Sequence, residues 1–180
     1  MADDNGFHTG EKDHWLKFAL WEQTCRVVFG ISAPGLPRQF CATPVSLIDI
    51  YPTLLALCGL PAPTSHTLDG IDLTPVLKGE RSERGKPVLS TFGLGNHSIT
   101  DGRYRYIRYR NGDEEFYDHA TDGYEWTNLA GDAKFDAAKT ALARLLPATD
   151  APEIEPARPW DGSELNAEVF KSLGTPVLAR

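Results

Sequence analysis

No stretch of this 180-residue chain approaches the roughly 18 consecutive apolar residues that a membrane-spanning helix requires. The N-terminus also lacks the basic-then-apolar pattern of a secretory signal. The chain therefore reads as soluble and carries no address, which leaves its compartment open. Cysteine is scarce: Cys25, Cys41 and Cys58 are odd in number and lack metal-ligand spacing, which excludes a disulfide framework and points to buried free thiols. Nor is there a surplus of positive charge. A net charge of -7 argues against a nucleic-acid binder, and Arg103, Arg105, Arg108 and Arg110 fall on two faces of one strand, where neighbouring acids or water satisfy them.

What is present is enough apolar residue, 41% of the chain, to bury the core of one domain. The chemistry is concentrated near the start. Asp4 and Asn5 place a carboxylate and a carboxamide oxygen side by side, the donors that hard cations such as Ca²⁺ and Mg²⁺ prefer. Neighbouring side chains of a strand point to opposite faces, so both reach one ion only where the chain leaves the strand, and Gly6 permits that exit. His8, Lys12, His14 and Lys17 follow, a set of cationic or protonatable groups suited to an anionic substrate. A polar loop without function is the plain alternative.

Periodicity organises the rest. Arg26–Ala33 is a short apolar run closed by Pro34-Gly35, and predicts a buried strand of the main sheet. Thr43–Cys58 predicts a helix: Ser46 and Asp49 make a capping-box pair, Leu47, Ile50, Leu54 and Leu57 form an apolar stripe, and Pro52 implies a kink or a late start. Residues 60–87 read as a connecting loop. Strands are expected over Val88–Phe92, Arg103–Arg110 and Glu114–Asp118, with Asn111-Gly112 as a type I′ hairpin turn. Along the second strand the apolar phase slips between Tyr104/Tyr106 and Ile107/Tyr109, which a bulge or burial on both sides explains. A last helix over Asp132–Leu146, capped by Asp132, carries Phe135, Ala138, Leu142 and Leu145 as its stripe. His97 falls in a glycine loop, and His66 and His119 read as surface residues.

The segment Asp4-Asn5-Gly6-Phe7-His8 through Gly10-Glu11-Lys12, His14-Trp15, Lys17, Trp21-Glu22 and Arg26-Val27 resembles the metal-and-substrate segment of the sulfatases, in the alkaline phosphatase superfamily. It is most similar to the iduronate-sulfatase-like and choline-sulfatase-like branches. A second match, over Gly95–Ile99, Arg103–Tyr109, Glu115–Asp118 and Glu125–Ala130, resembles the C-terminal subdomain of that family. The resemblance implies an α/β fold in which residues 1–86 are the C-terminal portion of the sulfatase α/β core. Residues 87–147 would form an α+β subdomain, a small antiparallel sheet with a covering helix, and 148–180 an extended tail.

The same resemblance implies a chemistry. Asp4 and Asn5 become ligands of an active-site Ca²⁺ or other divalent cation, and Lys17 becomes the lysine that contacts the sulfate, with Lys12 its rival. His14 is a further substrate contact and His97 a further catalytic candidate. The family's nucleophile, a formylglycine made within Cys/Ser-x-Pro-x-Arg, has no counterpart among the cysteines. Cys41 and Cys58 have proline three residues on, with Val45 and Ala62 at the arginine position, and Cys25 has no proline nearby. The expectation is thus the C-terminal part of a sulfuric ester hydrolase, acting on a sulfate-ester small molecule or a sulfated sugar together with the missing N-terminal portion. Phosphate or phosphonate ester hydrolysis is the alternative chemistry, and a non-catalytic remnant or assembly partner the alternative class. Family members are often periplasmic, secreted or lysosomal, and some are cytoplasmic.

Overall fold

The computed structural model describes residues 6–152, so Asp4, Asn5 and the expected tail from residue 153 onward lie outside the described residues. At its centre is an antiparallel sheet of four strands in sequential order: β3 (Val88–Thr91), β4 (His97–Thr100), β5 (Tyr104–Arg108) and β6 (Glu114–Asp118). Ahead of it come a two-stranded ribbon, β1 (His8–Thr9) and β2 (Trp15–Leu16), and three short helices, α1 (Glu22–Cys25), α2 (Ile50–Leu57) and α3 (Thr74–Leu77). Helix α4 (Asp136–Ala143) follows the sheet. The fold is that mixed α/β class, with the antiparallel sheet and its covering helix in the C-terminal half.

The phase slip along β5 resolves as burial on both faces. Pairing of β5 with β6 runs unbroken from Tyr104↔Asp118 to Arg108↔Glu114, so no bulge intervenes. On one face Ile99, Tyr106 and Phe116 stand in register across three strands and pack with Leu142 and Leu146. On the other, Ile107 and Tyr117 pack with Leu20, Trp21 and Tyr109. Burying each of these large side chains contributes about 1.5–3 kcal/mol, so both layers matter to the sheet. The free edge of β6 is covered by the chain after it: Phe116 donates its N–H to Asn128 Oδ1 at 3.0 Å, and its carbonyl accepts from Leu129 at 2.8 Å.

Several local expectations change. Arg26–Ala33 is not a strand; it is extended, with one bridge residue at Phe29 and Val28 exposed, because no described strand runs alongside to complete a ladder. Residues 60–87 are not all loop, since Pro75 at the start of α3 favours one helical turn. The hairpin tip does fall at Asn111-Gly112, but only Gly112 has positive φ, 93°. Gly112 N–H bonds Tyr109 O at 3.0 Å, and Tyr109 N–H bonds Asp113 O at 2.9 Å, so the connection is a three-residue turn ending in a left-handed glycine rather than type I′. In the last helix Leu145 is exposed and Leu146 takes the buried place, because α4 ends at Ala143 and the closing turn rotates the stripe. Cys41 and Cys58 are exposed, the apolar pockets expected for them being absent from loop and helix end. His119 is largely buried rather than superficial.

The α2 region shows why pattern alone misplaces a core. The helix starts late, at Ile50, after a 3₁₀ turn over Leu47–Asp49, in keeping with Pro52 in its first turn. Ser46 N–H donates to Asp49 Oδ2 at 2.9 Å, the capping-box contact. Yet the fully buried residues here are polar. Thr53 donates its hydroxyl to Asp49 O at 2.6 Å and accepts from Leu73 N–H at 3.0 Å, whereas Leu54 is exposed. Asp49 itself takes both Nε and Nη2 of Arg84 at 2.7 Å and the Ile71 N–H at 2.9 Å. Burial pushes its carboxyl up, but the Arg84 hydrogen bonds and the two peptide N–H groups outweigh it and hold the pKa below the usual value.

Because that pKa is depressed, the pair's stabilisation is complete above the unfolded value of about 3.9 and is lost as pH falls through the folded value. Asp49→Asn, which strands Arg84, is expected to cost about 3–5 kcal/mol at neutral pH and to remove part of the acid-induced loss. Urea unfolding of both proteins across pH 2–7 measures both effects.

Candidate functional site

The residues from Gly6 to Thr24 form a short ribbon, a 3₁₀ turn over Glu11–Asp13 and the first turn of α1, all held by specific contacts. Gly6 N–H donates to Thr24 O at 2.9 Å, and a Cβ on Gly6 would lie 1.8 Å from Gln23 O, so only glycine fits this approach. Gly6 is therefore required at this point for a steric reason. Lys12, Asp13 and Phe18 have φ of 57°, 54° and 72°. Left-handed backbone costs energy for such residues, and its clustering here matches the habit of functional segments.

The sequence-predicted side chains are divided among three places. Lys17 lines a cleft of about 410 Å³ between the segment Lys17–Val27, the start of the α2 region and strand β3, with Phe18, Cys25, Ser46, Ser90 and Phe92 among its walls. Lys12 turns the other way. Its Nζ donates to the Tyr117 hydroxyl at 2.9 Å and stands 4.8 Å from the Trp21 ring centroid and 4.5 Å from that of Tyr117. Burial lowers the Lys12 pKa, with Glu115, Glu125 and Asp122 opposing. Glu115 anchors this aromatic group by accepting from Trp21 Nε1 at 2.6 Å, Tyr109 at 2.9 Å and Tyr117.

His14 sits beside that group, its Nε2 3.3 Å from Lys17 O and its ring edge-on to Trp21. His8 is fully buried against both, at centroid distances of 5.2 Å to His14 and 5.6 Å to Trp21, and neither of its ring nitrogens has a hydrogen-bond partner. His97 is not in the glycine loop. It lies buried in β4, its Nδ1 2.9 Å from Thr91 Oγ1 and its Nε2 2.8 Å from Asp150 Oδ1. Alternation of small polar residues, His97-Ser98-Ile99-Thr100, had concealed the strand.

A buried charge network that sequence reasoning missed lies beneath this segment. Arg105 on β5 is 2% exposed and sends Nη1 to Ser98 Oγ at 2.7 Å and to Leu20 O at 3.4 Å, and Nη2 to the Glu22 carboxylate. Its Nε faces Glu125 Oε1 at 2.7 Å as an ion pair. Glu125 Oε2 accepts the Glu22 N–H at 2.9 Å, and Oε1 pairs with His119 Nε2 at 2.7 Å. Burial works against the charged forms, yet Glu125 holds the Arg105 pKa up, and His119 and Arg105 hold the Glu125 pKa down. The signal was present in the sequence as an arginine between two tyrosines of an apolar strand.

Among the described residues no group of three or more His, Cys, Asp or Glu side chains is arranged to hold a metal ion. Asp4 and Asn5 offer oxygen donors of the right kind for a hard cation, but only two against the six to eight that Ca²⁺ takes. Among the described residues no helix is long and apolar enough to cross a membrane.

Burial lowers the His8 pKa, with His14 adding to the shift. The unfolded chain then binds a proton that the folded one refuses, so stability is expected to decline as pH falls below about 6.5 and to level off below the folded value. His8→Phe removes that decline; thermal melts of both proteins between pH 5 and 8 check it.

No family model matches the sequence. A sulfatase from Formosa agariphila is 38% identical over 152 residues, covering 84% of this chain and 30% of the relative. The choline-sulfatase of Rhizobium meliloti is 32% identical over 136 residues, covering 72% and 26%. A protein solved in complex with its substrate D-glucosamine-2-N,6-O-disulfate superposes with a TM-score of 0.67 at 24% identity, over 81% of this chain and 32% of that one. The chain thus spans less than a third of the length of these curated relatives.

Proposed function

This chain is a sulfatase homologue that matches the C-terminal part of the family's members, and from that premise we propose that it supplies the metal-ligand and sulfate-contacting half of a sulfuric ester hydrolase. The observation that carries the reading is the contrast between the two lysines. Lys17 lines the cleft with its ammonium 5.6 Å from the Phe18 ring centroid, whereas the ammonium of Lys12 is hydrogen-bonded to Tyr117 and lies over the Trp21 face. A compact ammonium with three donors suits a crowded, tetrahedral anion, so Lys17 receives the sulfate. Lys12 and His14 belong instead to the Trp21–Tyr117 aromatic group, and His97 holds β3 to β4.

Asp4 and Asn5 would hold a divalent cation, which when bound polarises a sulfate oxygen. The chain's own residues bind and orient the anion and spread its developing charge, a contribution that is commonly the largest in such catalysis. The covalent step requires a nucleophile that the 180 residues do not provide, since no Cys/Ser-x-Pro-x-Arg occurs in them. We assign that nucleophile, and the remaining cation ligands, to the complementary portion of the enzyme. The substrate class is a sulfate ester, on a small molecule or on a sugar; the relatives named for choline sulfate and solved with a sulfated glucosamine support both.

The chain alone binds Ca²⁺ at about millimolar or weaker affinity by calorimetry, because most of the coordination sphere is missing. It shows no turnover of an aryl sulfate above a buffer control. Reconstituted with the complementary portion, the enzyme is active, and Lys17→Ala lowers kcat/KM by about 10²-fold while Lys12→Ala has a smaller effect. A fully active Lys17→Ala enzyme would transfer the role to Lys12 or a histidine, and turnover by the chain alone would mean that it holds its own nucleophile.

A further inference from the structure

The buried charge network beneath the site is placed where it controls the segment that carries the chemistry. Glu22 is the first residue of α1, and Glu125 accepts its N–H while Arg105 takes its carboxylate. Arg105 also reaches Leu20 O, so both sides of Trp21 are gripped from the sheet. From there the path is short and stiff. Helix α1 is four residues long, Thr24 ties it internally by donating its hydroxyl to Ala19 O at 3.0 Å and Trp21 O at 3.1 Å, and the Thr24 carbonyl receives Gly6 N–H. Gly6 directly follows Asn5, and Lys17 lies three residues before Leu20.

The chain accepts strain to build this arrangement. Glu125 has φ of 60°, a left-handed conformation disfavoured for glutamate, and it is 1% exposed. Held there, its carboxylate is shared among the Glu22 amide, Arg105 and His119. Apolar packing by Leu20 and Trp21 would bury as much surface while allowing the segment to slide; a forked guanidinium between fixed acceptors sets both register and direction.

We propose that Arg105 and Glu125 are positioning residues for the catalytic segment, acting through the Glu22 amide, helix α1 and the Thr24 carbonyl on Gly6, and through Leu20 on the stretch that carries Lys17. This rests on the assignment of Asp4, Asn5 and Lys17 made above. The C-terminal sheet then sets the geometry of the site from beneath, without touching substrate.

Amide hydrogen exchange by NMR on the 180-residue chain tests it, comparing the native protein with Glu125→Gln. Exchange at the Gly6 and Glu22 amides should accelerate by about 10-fold or more, while amides of the β5–β6 ladder keep their protection within about 2-fold. A merely structural role would instead lower protection in parallel throughout the sheet. Unchanged exchange at Gly6 in the folded variant overturns the proposal, as does a parallel loss. Should Glu125→Gln fail to fold, Arg105→Lys gives the same reading, because an ammonium keeps the charge but cannot fork to Ser98, Leu20 and Glu22 together. Titration with Ca²⁺ carried well above the millimolar range expected of the isolated chain, followed at the Gly6 amide of the native protein, reads the premise separately. Absence of any calcium-dependent shift there, with the exchange coupling intact, overturns the metal assignment and upholds the mechanical link.

Discussion

The charge on Arg105 is the constraint around which this structure is built. A guanidinium buried inside a strand is tolerated only when its donors are taken up, and here they are taken by Ser98 on the neighbouring strand, by Leu20 and Glu22 from the N-terminal segment, and by Glu125 from the turn after β6. Three parts of the chain far apart in sequence are thereby obliged to meet at one point. Removing Glu125 would leave the buried guanidinium with only the less buried Glu22 as counter-charge, which is far more costly than losing an exposed ion pair.

The sheet that holds Arg105 works as a partition. Its inner face builds the apolar core with α4 through Ile99, Tyr106 and Phe116, whose fit is non-directional and serves stability. Its other face combines Ile107 and Tyr117 with Arg105 and the Glu115 carboxylate, which accepts from two tyrosine hydroxyls and from Trp21, and so receives the N-terminal segment by directional bonds. The same division recurs around α2, where Asp49, Thr53 and Arg84 fasten the 70–73 loop and the chain leading into β3. Polar contacts specify where the pieces lie, and apolar ones hold them there.

The proposed chemistry follows from this plan. The cleft-lining Lys17 and the Gly6 junction belong to one segment, and that segment is secured on the sheet rather than by its own secondary structure, since its helix has four residues and its ribbon strands two each. Elements so short have negligible stability by themselves. Precision in the site is therefore a tertiary property. Membership of the sulfatase family gives the segment its meaning, and the buried network gives it its shape.

Much of this was legible in the sequence. Period-2 runs around Asn111-Gly112, the Ser46/Asp49 cap, Pro52 and the Asp132 cap determined the hairpin, the late start of α2 and the last helix, because such features act within a few residues. The oxygen-donor pair with its glycine, and the lysines after it, pointed to the segment to which the chemistry is proposed to belong. What only the tertiary structure decided involves partners distant in the chain. Arg26–Ala33 had strand composition but found no ladder among the described residues, and His97 looked like a loop residue yet pairs with Thr91 in a buried strand. Which lysine lines the cleft depended on Tyr117, 105 residues from Lys12. Arg105 was marked only as an arginine between two tyrosines, and nothing local joined it to Glu125, since a charge acquires its partner only when folding brings the counter-charge beside it and removes the water between them.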